Sequence, residues 1–73
     1  MSNKELLEAY KKVPSDELFK IINVVEDAII RWESRVAEEP ALRIRIRYGY
    51  ECVKLVQQVL EERQAKLNDV ELQ

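Results

Sequence analysis

Few residues of this 73-residue sequence are of the types that carry out chemistry near neutral pH. The chain has no histidine and one cysteine, Cys52, so the usual general base, the commonest zinc ligand and the usual partner of a nucleophile are missing. The remaining candidates are carboxylates at spacings typical of solvent-facing helix positions: Glu8, Asp16, Glu17, Glu26, Asp27, Glu33, Glu61 and Glu62. We therefore expect no enzyme, no cofactor, no metal site and no small-molecule substrate.

Cys52 is the one sulfur nucleophile, and its neighbours Glu51 and Val53 favour a small buried apolar group over a reactive thiol. A lone cysteine cannot form an intrachain disulfide, which is the usual framework of a small secreted domain. The opening residues contain no apolar signal segment, and apolar runs stop after three residues. The sequence thus predicts a cytoplasmic protein without a membrane-spanning segment.

A basic cluster is the one local concentration of charge that could bind a polyanion. Its members are Arg43, Arg45, Arg47 and Lys54, interleaved with Tyr48 and Tyr50. Cations bind phosphates and aromatic rings stack on bases, so nucleic-acid binding is one hypothesis. On a helix, however, Arg45 points away from Arg43 and Arg47, and Glu39 is placed to pair with Arg43. Structural ion pairs or contact with an acidic protein partner are therefore favoured.

The composition predicts one all-α domain over residues 1–73. A chain this short forms a single thin core. Its 47% apolar residues are typical of folded proteins, and 12 basic residues against 14 acidic ones make a net charge of −2. One glycine and two prolines leave little material for β-turns, whereas the abundant Leu, Glu, Lys and Gln favour helices. Such a balance of charges would also suit a thermostable protein.

Helix signals divide the first half of the chain into two segments. Ser2 and Glu5 form a capping box that predicts a helix over about 3–12. Pro14 interrupts it, and a second helix is predicted over about 16–38. Its apolar positions step by four and three residues, which is a heptad seam: Leu18, Ile22, Val25, Ile29, Trp32 and Val36. Additional apolar residues flank the seam, so this helix should have neighbours on more than one side.

The segment 42–50 is ambiguous because its apolar residues alternate with polar ones, as in a β-strand. A four-three seam also begins there and extends much further: Leu42, Ile46, Gly49, Val53, Val56, Leu60, Arg63 and Leu67. A strand does not explain that spacing, so a helix over about 41–67 is favoured, with a frayed tail at 68–73. An α+β fold with a strand near 42–50 is the alternative. Gly49 on the seam would permit close approach of a second helix.

Two long helices joined by a short connection must lie antiparallel, with the first helix folded across them as a three-helix bundle. The apolar surplus predicts a non-enzymatic protein–protein interaction module, either a homodimer or a small subunit or adaptor of a complex. The proposed interface lies on the two seams at Ile22, Val25, Ile29, Trp32, Val53, Val56 and Leu60. Part of this set must be core, because the same faces hold the two helices together.

Two short motifs resemble the helical domain of GINS subunits, small proteins of the replicative helicase complex. The first is Val13-Pro14-Ser15-Asp16-Glu17-Leu18-Phe19, similar to the proline-acid-aromatic start of a long helix in that family. The second is Arg63-Gln64-Ala65-Lys66-Leu67, similar to the end of a later helix. The resemblance covers roughly residues 5–70 and only the helical domain. It implies a structural role in a DNA replication assembly without catalysis.

Overall fold

Three helices make up the part of the chain that the structure, a computed structural model, describes: the backbone of residues 2–72 and the side chains of residues 2–67. They are α1 (Asn3–Tyr10), α2 (Ser15–Glu33) and α3 (Leu42–Leu72). No strand occurs within residues 2–72, and the predicted all-α three-helix bundle is confirmed. The alternative strand near 42–50 is wrong, because the four-three seam, and not the local alternation, matches what the fold buries.

Helix α1 begins as the sequence predicts and ends slightly earlier. The Ser2 hydroxyl accepts a hydrogen bond from the Glu5 amide at 3.2 Å, which satisfies one free donor of the first turn. After Tyr10 the chain tightens, because Lys12 and Val13 donate to the carbonyls three residues before them. The helix therefore ends at Tyr10 and not near residue 12, and Pro14 follows in an extended conformation.

Helix α2 ends at Glu33, before its predicted end near residue 38. The Ser34 hydroxyl donates to the Arg31 carbonyl at 2.7 Å, and the Arg35 amide bonds the Trp32 carbonyl, three residues back. Such bonds compete with the helical pattern and tighten the chain into turns. Val36, the last predicted seam residue, consequently lies in the connection to α3.

Helix α3 starts at Leu42, after amides of its first turn bond the carbonyls of Glu39 and Pro40. It continues to Leu72, so its predicted end at 67 is too early and residues 68–72 extend the helix. Gln73, the last residue of the tail expected to fray, lies outside the described residues. None of the described helices combines the length and the apolar character that a bilayer span requires.

Helices α2 and α3 form an antiparallel hairpin. Contacts at three heights show the direction: Glu33 with Tyr50, Ile29 with Gly49, and Ser15 with Arg63. The core between these helices is formed by Leu18, Ile22, Val53, Val56 and Val59. A Cβ at Gly49 would lie 2.9 Å from Ile29 Cγ1, so the absence of a side chain there permits the close approach that the sequence suggested.

The short helix α1 packs along one side of this hairpin and runs in the same direction as α3. Its first residues lie near Tyr48 and its end near Arg63. Leu7 and Tyr10 pack against the central core, but no residue of α1 is fully buried. With eight residues against the 31 of α3, α1 covers only part of the hairpin.

Candidate interaction surfaces

The residues predicted as a partner interface lie mainly inside the protein. Ile22, Ile29, Val53 and Val56 are buried between α2 and α3. The remaining three are half-buried: Val25, Trp32 and Leu60. For the four buried residues the prediction is corrected: they are core, because a seam on one helix packs first against the seam of its antiparallel neighbour. Only the half-buried three retain surface that a partner could contact.

The apolar residues that do reach the surface are different ones. Seven large apolar side chains are more than half exposed: Phe19, Val24, Ile30, Ile44, Tyr48, Tyr50 and Leu67. Most of them flank the seams or lie at the ends of the helices. The signal in the sequence was the widening of the α2 stripe beyond a heptad seam, at positions that include Phe19, Val24 and Ile30.

Two opposite faces of the α2–α3 hairpin differ in what covers them. The covered face, marked by Cys52 and Leu55, packs against α1. The open face is marked by Phe19, Ile30 and Tyr50. Tyr50 and Leu55 are five residues apart on one helix, which corresponds to about 140° around its axis. The two faces therefore point away from each other, and α1 contacts only one of them.

The open face contains two grooves between α2 and α3. One, of about 370 Å³, lies at the end where Phe19 meets Leu60, Gln64 and Leu67. The other, of about 250 Å³, is lined by Glu26, Ile29, Ile30, Glu33, Tyr50 and Val53. Phe19 and Ile30 are eleven residues apart, close to three whole helical turns, so both project from the same side of α2. The two grooves therefore lie on one face, with the polar Asn23 and Glu26 between Phe19 and Ile30 on α2.

The open face also carries acidic residues. On α2, both basic residues pair with carboxylates away from the open face, in the pairs Lys20–Glu17 (3.4 Å) and Arg31–Asp27 (3.6 Å). Glu26 and Glu33 line the groove of the open face, and spacings of seven residues place them on the same side of α2 as Phe19. The Tyr50 hydroxyl donates to the Glu33 carboxylate, and this hydrogen bond raises the pKa of Tyr50.

The basic cluster is exposed, and one member points away from the rest. Arg43, Arg47 and Lys54 are spaced by four and seven residues, so they project from the same side of α3. Arg47 also lines a groove beside the start of α1. Arg45 is exposed but two residues from both Arg43 and Arg47, which places it on the opposite side of the helix. The cluster therefore forms a patch of three cations and not of four.

The predicted pairing of Glu39 with Arg43 does not form. Glu39 instead accepts a hydrogen bond from Arg35 at 2.9 Å. The expectation assumed that residues 39–43 form one helical turn, but α3 begins only at Leu42. The turn that does form runs from Arg35 to Glu39, whose amide bonds the Arg35 carbonyl, and it brings those two side chains together.

A larger groove lies where α1 leaves the covered face unoccupied. Its volume is about 700 Å³, and its lining consists of Asn3, Leu6, Ile44, Arg47, Tyr48, Glu51, Cys52 and Leu55. The groove exists because α1 starts near Tyr48 and does not cover this side of the first turns of α3. Ile44 and Tyr48 are exposed there for the same reason.

Cys52 is half-buried beneath α1 and lies 3.1 Å from the Tyr10 hydroxyl, within hydrogen-bond distance for sulfur. This hydrogen bond, together with burial of the ring, raises the pKa of Tyr10 to about 12. The contact joins α1 to α3, so its evident role is to hold the short helix. Among the residues that the structure describes, no group of three or more His, Cys, Asp or Glu side chains could hold a metal ion.

Arg63 fastens the connection between α1 and α2, a role that its seam position did not reveal. Its guanidinium donates to the carbonyls of Lys11 (3.0 Å) and Val13 (2.7 Å) and to the Ser15 hydroxyl (2.8 Å). These carbonyls follow the C-terminal end of α1, where the helix dipole favours a cation. An arginine on an otherwise apolar seam was the available signal, since such a residue requires several acceptors.

Comparison of the chain with protein-family models, curated proteins and solved structures returned no match. The resemblance to GINS subunits stays a prediction.

Proposed function

We propose that this protein is a non-enzymatic interaction module whose exposed apolar helix surface binds another protein. The observation that carries the proposal is the exposure of three large side chains on the open face: Phe19 (56%), Ile30 (67%) and Tyr50 (55%). Exposed apolar groups rimmed by polar residues mark binding surfaces. Water contact with these side chains costs free energy that a partner would recover by covering them.

The small size of the domain supports the same conclusion. Five residues form the central core, and a chain of this length buries only about 60% of the surface exposed on unfolding. Native domains are stable by roughly 0.05–0.15 kcal/mol per residue, so a domain of this size has little reserve. Association with a partner adds stability by mass action without enlarging the core.

The experiment is affinity capture with quantitative mass spectrometry, using the full chain on beads and an extract of the source cells. A double variant, Phe19→Lys with Ile30→Lys, is compared with the control Val24→Lys, which adds charge at an exposed position about 120° around α2 from Ile30. The proposal expects one protein, a second copy of this chain included, to be enriched by the wild type and the control and lost with the double variant. Equal recovery of every captured protein by all three baits would contradict it.

The nucleic-acid hypothesis is tested on the same material. If the basic cluster binds a polyanion, changing Arg43, Arg45 and Arg47 to Glu should abolish a salt-dependent interaction with DNA or RNA. Arg43, Arg47 and Lys54 share one side of α3 and Arg45 points away from them, so at most three cations of the cluster could bind one phosphate backbone. The exposed apolar side chains of the open face favour a protein partner, so nucleic acid is the alternative.

A further inference from the structure

We propose that the open face binds a basic amphipathic helix of another protein. The inference rests on the proposed function and names the chemistry of its partner. The apolar side of that helix covers Phe19, Ile30 and Tyr50, which project from the face. Its lysine or arginine side chains meet the carboxylates that line the two grooves.

The carboxylates of the grooves are the first argument for a basic partner. Glu26 and Glu33 line the groove of about 250 Å³, and Glu61 lines the groove of about 370 Å³. Among the side chains that the structure describes, no ion pair includes any of these three carboxylates. A docked partner removes water from them, so cations on that partner supply the compensating charge and exclude acidic competitors.

The described lining of the two grooves contains one cation, Arg63, and its donors are already engaged. The guanidinium lies in the groove of Phe19 but donates to two backbone carbonyls and a hydroxyl. Arg43 and Lys54 project from α3 beside the face, and neither lines a groove. Residues 68–73 contain no lysine or arginine. The cations of the partner are therefore expected over the grooves and not over this side of α3.

The acidic residues occur along the whole face. Glu26 and Glu33 are seven residues apart on the same side of α2 as Phe19, a distance of about 10 Å along the helix axis. Phe19 lies a further seven residues away, and Glu61 lines its groove. A helix that follows the face from end to end therefore passes a carboxylate about every two turns, so its cations should recur roughly every seven residues.

The shape of the face favours a helix over an extended segment. No strand edge occurs within residues 2–72, so an extended peptide would find no backbone hydrogen-bond partners there. Its own amides and carbonyls would face apolar side chains without partners, which costs free energy. A helix satisfies these groups internally and presents an apolar stripe at spacings of three and four residues.

Two apolar anchors set the minimum length of the partner helix. Phe19 lies in one groove with Leu60 and Leu67, and Ile30 lies in the other with Tyr50. The eleven residues between Phe19 and Ile30 correspond to about 16 Å along α2, so a helix of about three to four turns reaches both anchors. Aromatic side chains such as Phe19 contribute strongly to interfaces, so this end should dominate the affinity.

The first experiment titrates the full chain into three labelled peptides of about 18 residues, roughly 27 Å when helical, and follows fluorescence anisotropy. The basic peptide has leucine at spacings of three and four residues and lysine or glutamine elsewhere. The acidic peptide replaces each lysine with glutamate, and the scrambled peptide keeps the basic composition without an apolar stripe. The proposal expects the basic peptide to bind at least about tenfold more tightly than either of the others.

Three results of this titration would overturn the proposal. The first is binding of the acidic peptide as tight as that of the basic one, because the grooves would then not select positive charge. The second is equal binding of the scrambled peptide, because attraction would then not require an apolar stripe. The third is a basic peptide that stays unbound at about 100 μM of the chain, an affinity below that of a weak specific contact.

Two double variants with the same change in net charge locate the charged contact. Glu26→Gln with Glu61→Gln removes two groove carboxylates and should weaken binding of the basic peptide about tenfold. Asp27→Asn with Glu62→Gln is the control, because each of these residues points about 100° around its helix from the groove residue before it. The control should leave the dissociation constant within about twofold, and circular dichroism checks that both variants are helical. Equal weakening by both double variants would overturn the proposal.

A pair of aromatic variants locates the apolar contact. Phe19→Ala should weaken binding of the basic peptide at least about tenfold, because it removes the anchor of one groove. Tyr48→Ala is the control, because Tyr48 is 71% exposed but lies in the groove beside α1. A loss of binding with Tyr48→Ala and not with Phe19→Ala would assign the peptide to that groove and overturn the proposal.

Failure of this inference is distinguishable from failure of the proposed function. A protein captured from the extract through Phe19 and Ile30, but equally well by Glu26→Gln with Glu61→Gln, overturns the basic helix and leaves the interaction module in place. A pure chain that sediments as a dimer through the same two apolar residues does likewise. A chain that captures no protein and binds no peptide overturns both. A chain that binds DNA in a salt-dependent way but not the basic peptide overturns the inference in favour of the alternative function.

Discussion

The covered and open faces belong to the same two helices, but α1 packs against the covered face and leaves the open face exposed. On the covered face, α1 is attached by directional contacts: Arg63 donates to two backbone carbonyls and the Ser15 hydroxyl, and Tyr10 lies against Cys52. On the open face, apolar side chains line two grooves together with the acidic Glu26, Glu33 and Glu61.

The difference shows what a short helix needs in order to stay docked. Helix α1 has eight residues and none is fully buried, so apolar contact alone holds it weakly. Hydrogen bonds to the chain that follows the helix supply the remainder. The open face lacks a short helix of its own, and its apolar and charged groups remain available to a partner that buries more area.

The largest effect is expected where the hairpin itself is weakened. Leu18 is 0% exposed, and Leu18→Ala should lower the free energy of unfolding by about 2–5 kcal/mol, because it removes transfer free energy and leaves a cavity. The next residue, Phe19, is 56% exposed and is the matched control. Urea unfolding at a protein concentration where the chain is monomeric should show that Phe19→Ala lowers the free energy of unfolding by less than about 1 kcal/mol. Equal losses of unfolding free energy for the two variants would contradict the exposure of Phe19 on the open face.

The second effect concerns the distance between α2 and α3, the two helices that form both faces. Gly49→Val places a Cβ 2.9 Å from Ile29 Cγ1, which is too close, so overpacking should cost about 1–3 kcal/mol. Thermal unfolding followed by circular dichroism measures it. Ile29→Ala in the same chain makes room for the added side chain, and the double variant should be less destabilised than the sum of the single ones. If the losses of the two single variants simply add in the double variant, the close approach of α2 and α3 at Gly49 is contradicted.

The third effect is confined to the covered face. Arg63→Met removes three hydrogen bonds from a half-exposed site and should lower the free energy of unfolding by about 1–2 kcal/mol. Hydrogen exchange should show faster exchange in α1 while α2 and α3 keep their protection. Arg63→Lys retains the charge but not the forked donor and should recover only part of the loss. Uniform acceleration in all three helices would contradict the local role.

The smallest effect is the loss of the Tyr10 hydroxyl. The folded pKa of about 12 lies above the ordinary value near 10, so the protonated phenol stabilises the fold. That contribution is complete below about pH 10 and is lost as the pH rises through 12. Tyr10→Phe should therefore cost about 0.5–1 kcal/mol at neutral pH, and the difference from wild type should shrink in alkali.

Absorbance at 295 nm provides the second measurement on this variant. The part of the tyrosinate signal that appears near pH 12 should be missing from Tyr10→Phe. Tyr48→Phe is the control, because the ring of Tyr48 is 71% exposed and its loss should leave the free energy of unfolding unchanged. A Tyr10→Phe protein that retains the late signal would assign it to another tyrosine.

Much of the fold followed from spacing, whereas the candidate surface did not. The seam beginning at Leu42 identified α3 correctly against a competing strand pattern, because its period persists for many turns. The end of α2 was missed because Ser34 and Arg35 adopt turns that depend on individual hydrogen bonds. The predicted interface contained buried residues such as Ile29 and Val53, because a seam pattern does not distinguish contact within a chain from contact between chains.

The sequence by itself determined that the chain is helical, where α1 begins and most of the core residues between α2 and α3, Val59 excepted, because these properties depend on local caps and on periodicity. Only the tertiary structure decided which face α1 covers, what Arg63 binds and which apolar residues remain exposed. The physical reason is that a periodic stripe specifies a direction around one helix axis. What lies in that direction depends on where distant parts of the chain pack, and local spacing carries no information about that.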